Sequence, residues 1–464
     1  MAERIERDFL GEVKVPAEAL YGAQTARAVE NFPISGLRAH PALVWAIGTI
    51  KQAAAQAHLG AAELPEELAK AISQASAEVA AGKHNDHFVV DVYQAGAGTS
   101  FNMNANEVIA NRANEILGQP RGAYKPVHPN DHVNMGQSTN DLFPTAMRLA
   151  GLLLWKELDE AIARLAKAFE EKAEEFDGII KSGRTHLQDA VPIRLGQEFG
   201  AYAAAIAKCR ARICRACQEL QELGLGGSAV GTGLNASPAY RKNVIEELRR
   251  LAGFDLRGAD NYIELMQNTD AFVEVSGALR SLALNLLRIC GDLRLLGSGP
   301  MTGLAEIELP AVQPGSSIMP GKVNPVMAEM MAMVSFQVIG NDAAIAMACQ
   351  AGQLELNVMM PVMAHNLLGS MTILTNSLRA LSERCIRGLT ANEERCRQYA
   401  ERSLGLVTAL SPRLGYHQAA LIAKEALATG KSIRQLVLEK GLLSPEELER
   451  LLSPQSLTEP GVPE

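Results

Sequence analysis

The sequence predicts a mainly α-helical fold built around a bundle of long helices, and three observations predict it. Apolar residues recur at steps of three and four over stretches approaching thirty residues, far beyond the ordinary helix of about 11–12. Strand signals between those stretches are few, and alanine is abundant along them, so neighbouring helices can approach closely. The chain, 464 residues long, is also too large for one simple core.

Each element follows in order. The opening DFLGEVKVPAEALYG alternates apolar and polar residues around Gly11, the pattern of a short hairpin. Helical periodicity begins near Pro41, a residue suited to a first helical turn, and breaks at Gly82 and across QAGAGTS, 94–100. A further helix leads into the Pro- and Asn-rich KPVHPNDHVN, which closes a first, mostly helical domain, 1–137. From Thr145 the stripe Leu154, Leu158, Ile162, Leu165, Phe169, Ala173 and Phe176 marks a long amphipathic helix. Comparable stretches cover roughly 194–223, 264–296, 326–350 and 355–387, so 138–393 reads as a central helix-bundle domain. The remainder, 394–464, reads as a small helical domain. Within it, in LLSPEELERLL, Ser444 caps a helix, Pro445 takes its first position and Glu447 completes a capping box. The final TEPGVPE reads as disordered.

Composition narrows the function classes. A net charge of −8 and a pI near 5.7, with no run of lysines or arginines, argue against nucleic acid as a partner. The charged MAERIERDFLGE is no signal peptide, and Arg, Lys, Gln or Asn interrupt the apolar stretches before a membrane span is reached. Seven cysteines lie inside helical patterns; Cys214 and Cys217 form a C-x-x-C with no partner pair nearby, so they read as two thiols on one helix. Reduced thiols suit the cytoplasm.

Four polar islands interrupt the helices: GAGTSFNMNANE (96–107), GQSTND (136–141), GRTHLQDA (183–190) and GSSIMPGKVNP (315–325). Helix capping explains each one singly. Together they read as a site. Exposed helix N-termini offer N–H groups and a positive dipole end to an anion. Thr99, Ser138, Thr139, Asn140 and Thr185 add neutral donors, Lys322 a positive charge and His186 a group that titrates near neutrality. The inventory suits a small, doubly anionic ligand. It lacks the cluster of a transition-metal site and the Gly-rich fingerprints of a nucleotide site, so neither metal nor cofactor is expected.

These islands, in this order, resemble the aspartase/fumarase superfamily of elimination enzymes. GSSIMPGKVNP matches its signature at Gly315, Ser316, Met319, Lys322 and Asn324, and the resemblance runs over nearly the whole chain. It implies a three-domain subunit whose long helices join those of three other copies in a twenty-helix core, with three chains building each site. It also implies a lid carrying a serine base, Ser316, that takes a proton and leaves a doubly charged aci-carboxylate. A hydroxyl is a poor base at neutral pH, so backbone N–H groups and Lys322 must stabilise its alkoxide. By motif, Thr99, Ser138, Thr139 and Ser317 would hold the carboxylate that becomes the dianion, and Lys322, Asn324 and Thr185 the other. Asn140 and His186 would face the leaving group. Glu329 resembles the glutamate that pairs with the island histidine in the fumarase branch; alternatively it is a surface helix charge.

Within the superfamily, VDVYQAGAGTS, QSTND and AVENFPISG match the branch that eliminates ammonia from L-aspartate, and VHPND, GAQT and MPGKVNP match the branch that dehydrates L-malate. Ala97 stands where the hydratases place a serine hydroxyl beside the substrate. An ammonium leaving group tolerates that loss better than water does, so the L-aspartate reading is preferred. A catalytically silent helical scaffold is the reading from a different class, and intact Ser316, Lys322, Asn324 and His186 speak against it.

Overall fold

A computed structural model describes residues 2–462. The chain opens with an antiparallel hairpin, β1 (Glu3–Asp8) and β2 (Gly11–Pro16), with Asp8 opposite Gly11. Gly11 sits at φ +117°, a backbone state that glycine alone adopts readily. Helices α1 (Ala23–Asn31), α2 (Pro41–Gly60), α3 (Glu66–Ala80) and α4 (Thr99–Ile116) follow. Then come the 37-residue α5 (Thr139–Glu175), a second hairpin of β3 (Ile180–Thr185) and β4 (Gln188–Arg194), and α6 (Leu195–Gln218). The remaining central helices are α7 (Pro238–Ala252), α8 (Tyr262–Gln267), α9 (Asp270–Leu296), α10 (Val326–Gln350) and α11 (Met360–Leu381). The last part holds α12 (Glu393–Arg402), α13 (Leu406–Leu414), α14 (Tyr416–Thr429), α15 (Ile433–Glu439), α16 (Pro445–Leu451) and α17 (Pro454–Thr458).

The fold is mainly α, as the apolar periodicity predicts. Boundaries move where local chemistry overrides that periodicity. Helix α5 begins at Thr139, ahead of the apolar stripe, because the polar residues of the second island form its first turn. The 264–296 stretch splits at Asn268, so α8 and α9 are separate helices. The 355–387 stretch is helical only from Met360, because Asn357 turns its amide back onto the Ala348 and Cys349 carbonyls.

Two compact units divide the chain: Met1–Glu160 with Ala211–Ala283 and Ser335–Thr375, and Ala161–Arg210 with Leu284–Val334 and Asn376–Glu464. The chain passes between them within α5, α6, α9, α10 and α11. In the first unit α2 packs on α3 and α7, and α3 on α4. Gly48 allows the α2–α3 approach, since a Cβ there would lie 2.6 Å from the Ala80 nitrogen. The buried Glu107 carboxylate accepts the N–H groups of Gly22, Gln24 and Thr25 and so caps α1; burial pushes its pKa up.

In the second unit Leu410, Ile422, Leu436, Val437, Leu448 and Leu451 form a small apolar core under the last helices. Ser444 caps α16, but Glu447 does not complete the capping box. Its carboxylate pairs with Arg413, and the reciprocal box is made instead by Ser432 and Gln435 at α15. The TEPGVPE segment is not wholly loose either. Thr458 ends α17, and Arg194 donates to Thr458 and Glu459; its last two residues lie outside the described range.

Helix α10 is long and apolar enough, by length and composition, to cross a membrane, which the reading of interrupted apolar stretches did not anticipate. Within the first unit its Asn341 donates to Ser370 at 2.9 Å, and its Asp342 accepts from Ser276 at 2.7 Å and Arg280 at 2.6 Å. Those are bonds of a packed bundle helix. Cys214 is exposed and Cys217 buried along α6, and no disulfide joins the described cysteines.

Candidate active site

The four islands are divided two and two between the units. In the first unit, the starts of α4 and α5 converge. Ala97 (φ +59°) and Gly98 (φ +81°) turn the chain into α4, and the Ala97 N–H donates to the Val358 carbonyl at 2.8 Å. A Cβ on Gly98 would lie 2.2 Å from the Phe143 ring, so the two helix starts meet only because this residue has none. Thr99 is exposed as the first residue of α4, its hydroxyl donating to the Gly96 carbonyl at 3.1 Å. Ser138 precedes α5, and its Oγ accepts the Asn140 N–H at 3.2 Å. Thr139 opens α5, and its Oγ1 accepts from Asn102 at 2.8 Å.

Asp141, the one acidic residue of that first turn, is buried and turned inward. It accepts the Ser138 N–H at 3.0 Å and the Gly226 and Ser228 N–H groups at 2.9 Å. Burial pushes its pKa up to about 7, against the pull of these three donors and of Lys51. A third loop, Gly-rich and running over 224–235, is thereby fastened to the second island, and Asn140 Nδ2 donates to its Ala229 carbonyl at 2.9 Å. Sequence reasoning passed over this loop, although the run GLGGSAVGTGLN signals tight backbone turns.

Beneath the two helix starts lies a buried amide network. Lys51 of α2 donates to Asn134 Oδ1 and Gln137 Oε1, both at 2.9 Å, and Asn102 and Asn106 also donate to Asn134 Oδ1 at 3.2 Å. Burial holds the Lys51 ammonium well below the usual lysine range, with the nearby Asp141 charge opposing it.

In the second unit, Thr185 and His186 do not open a helix. They sit on the tip of the β3–β4 hairpin. Thr185 pairs with Gln188, and His186 and Leu187 form a two-residue turn at φ +57° and +59°. Hairpin twist demands left-handed residues there, whether or not glycine is available. The hairpin is anchored from below: Arg184 donates to the fully buried Glu306 at 2.9 Å, and Lys181 lies 3.4 Å from the same carboxylate. Thr185 and His186 are left exposed at the tip.

The 315–325 loop is held by a few bonds of its own. Gly315 N–H donates to the Lys322 carbonyl at 2.9 Å, and Asn324 Nδ2 donates back to the Gly315 carbonyl. Ser316 Oγ accepts two backbone N–H groups, from Met319 at 2.9 Å and Ile318 at 3.2 Å. Such donors favour the charged form of the oxygen they reach. Ser317 and Lys322 are exposed, Lys322 with no ion pair among the described residues, and Glu329 lies half-buried in the first turn of α10. Among the described residues, no hydrogen bond or ion pair links the hairpin tip to this loop. A cavity of about 910 Å³ in the second unit, lined by Ile180, Arg397, Arg434 and Leu452 among others, contains none of the predicted site residues.

Comparison with known proteins identifies the scaffold that carries these features. Residues 11–340 match a family described as Lyase, and residues 406–459 match one described as Fumarase C C-terminus. The chain belongs to this lyase family. The lyase is 52% identical over 459 residues to an aspartate ammonia-lyase of Bacillus subtilis, covering 99% of this chain and 97% of that protein. It is 50% identical over 462 residues to one of Pseudomonas aeruginosa, covering 99% and 98%. A class II fumarate hydratase of Halobacterium salinarum is 51% identical over 460 residues, covering 99% and 98%. Among solved structures, the lyase superposes with TM-score 0.96 on a cobalt-bound fumarate lyase:delta crystallin from Brucella melitensis, at 51% identity and with 99% and 100% of the chains covered. It superposes with TM-score 0.94 on a class II fumarase from Schistosoma mansoni, at 37% identity and with 98% and 99% covered.

Proposed function

We propose that this lyase is an aspartate ammonia-lyase, removing ammonia from L-aspartate to give fumarate. The observation that carries the mechanism is the pair of N–H groups donated to Ser316 Oγ by Ile318 and Met319. They stabilise an alkoxide, which takes the proton from the carbon beside one carboxylate. The electron pair left behind moves into that carboxylate as a second negative charge, the aci form. It then returns to form the carbon–carbon double bond as the carbon–nitrogen bond breaks. Donors aimed at that carboxylate bind the dianion more tightly than the ground state.

Thr99, Ser138, Thr139 and Ser317 hold the carboxylate that becomes the dianion in this scheme; Lys322, Asn324 and Thr185 hold the other. Asn140 and His186 face the ammonium, and Glu329 supports His186. Loop motion brings Ser316 to the carbon and excludes water. The regions 1–137, 138–393 and 394–464 act as its N-terminal, bundle and C-terminal domains. Three chains of a cytoplasmic homotetramer build each site, with a twenty-helix core. Helix α10 supports the assembly, because Met333, Phe336 and Met347 stand 63%, 62% and 64% exposed along it.

L-malate dehydration is the second reading. The identity to the Halobacterium hydratase and the presence of both His186 and Glu329 favour it, and Ala97 opposes it. Purified protein with L-aspartate, and separately with L-malate, decides by fumarate absorbance. Fumarate with stoichiometric ammonia from L-aspartate is expected; fumarate from L-malate alone would reassign the enzyme, and silence with both would leave a scaffold.

A further inference from the structure

The Thr139 hydroxyl has one proton and two lone pairs, so what lies behind it decides what it offers a ligand. Behind it is Asn102 Nδ2, at 2.8 Å. The orientation of that amide is set from further back. Lys51 Nζ donates to Asn134 Oδ1 and Gln137 Oε1, each 2.9 Å away. Asn134 Nδ2 donates to the Gln137 carbonyl at 3.1 Å. Asn102 therefore has to present its NH2 to Asn134 Oδ1, and its second hydrogen falls to Thr139 Oγ1. The arrangement leaves Asn102 Oδ1 buried without a partner, on a residue only 1% exposed. Native proteins rarely leave a buried acceptor unpaired, and where they do the group warrants a functional explanation.

We propose that Asn102 is a positioning residue: by donating to Thr139 Oγ1 it commits the Thr139 proton to the bound carboxylate and so sets the polarity of the anion site. The inference rests on the reading that Thr139 holds a substrate carboxylate. A hydroxyl that already accepts one hydrogen bond also donates a stronger one.

A double-mutant cycle on the full-length enzyme tests it, using Asn102→Leu, Thr139→Val and the combination. Succinate, an unreactive dicarboxylate, serves as the binding probe beside KM and kcat for L-aspartate. Asn102→Leu is expected to weaken succinate binding about tenfold, the size of one lost neutral hydrogen bond. In the Thr139→Val background it should have no further effect. Asn102→Asp, of nearly identical shape, should weaken succinate binding more than Asn102→Leu. It accepts the Thr139 proton and adds negative charge, and it stands in if the leucine variant fails to fold. Losses that add in the double variant would mean Asn102 acts on the fold at large, overturning the inference while leaving the carboxylate reading intact. Unchanged succinate affinity in Thr139→Val alone would overturn both.

Discussion

Thr139 and Ser316 are both hydroxyls beside glycine-rich turns, yet they are held in opposite ways. Thr139 stands on a 37-residue helix, backed by Asn102, Asn134, Lys51 and Asp141, most of them buried. Ser316 stands on a half-exposed loop, and the bonds at Ser316, Gly315 and Asn324 close within the loop itself. Groups that receive charge gain from being fixed before the reaction, because no reorganisation is then spent at the transition state. In the proposed scheme Ser316 carries a proton away and has to arrive and leave, so a weakly tied segment suits it.

The sharpest test of that division is Ser316→Ala. It should lower kcat by about 10³-fold, the reach of a general base, while the melting temperature and succinate affinity stay near wild type. Retained turnover would hand the base role to another residue. Next comes a pair of matched glycine substitutions. Gly98→Ala drives a methyl into the Phe143 ring at a left-handed position, costing about 3 kcal/mol and lowering the melting temperature by about 5 °C. Gly315→Ala places its methyl 2.4 Å from the Lys322 carbonyl that closes the loop. It should cost about a hundredfold in kcat/KM by displacing Ser316, with melting unchanged. If Gly315→Ala melts early while Gly98→Ala does not, the two regions have been assigned the wrong way round.

A smaller effect is expected from pH. Asp141 is pushed up to about 7 in the fold, chiefly by burial, from an ordinary carboxylate value of 3.8. The folded chain therefore binds that proton more tightly than the unfolded one. The resulting stability is present in full below about pH 4 and is lost as pH rises through about 7. Calorimetry at pH 5, 6, 7 and 8 should show a downward slope in wild type that Asp141→Asn flattens; parallel slopes would remove Asp141 as the titrating group. Smallest of all is Gly321→Ala. Its φ is +79° with open space around it, so it should cost about 1 kcal/mol within the loop and change kcat by about fivefold or less.

The long helices were legible because burial writes itself into spacing, as at Leu158, Ile162, Leu165 and Phe169, all fully buried along α5; α10 spans the residues the sequence marks, Val326–Gln350, through unbroken apolar length rather than a one-faced stripe. The islands were legible because Gly beside Ser, Thr and Asn has few uses other than turns, caps and ligands. The β3–β4 hairpin was not. Gly183 and Pro192 break its alternation, its turn carries neither Asn nor Gly, and its anchor Glu306 lies 122 residues from Arg184. Lys51 was equally hidden, since a lysine on a helix usually reads as a solvated charge and its partners lie 83 and 86 residues downstream.

The turn at His186 and Leu187 has a practical consequence for anyone seeking a hardier enzyme. Selection for heat resistance alone will be drawn to those two positions, where glycine or asparagine relaxes the backbone by about 1 kcal/mol apiece. At Leu187 that gain comes free of chemistry; at position 186 it would be won by discarding the imidazole that the proposed scheme sets beside the ammonium, so durability and turnover have to be scored together there.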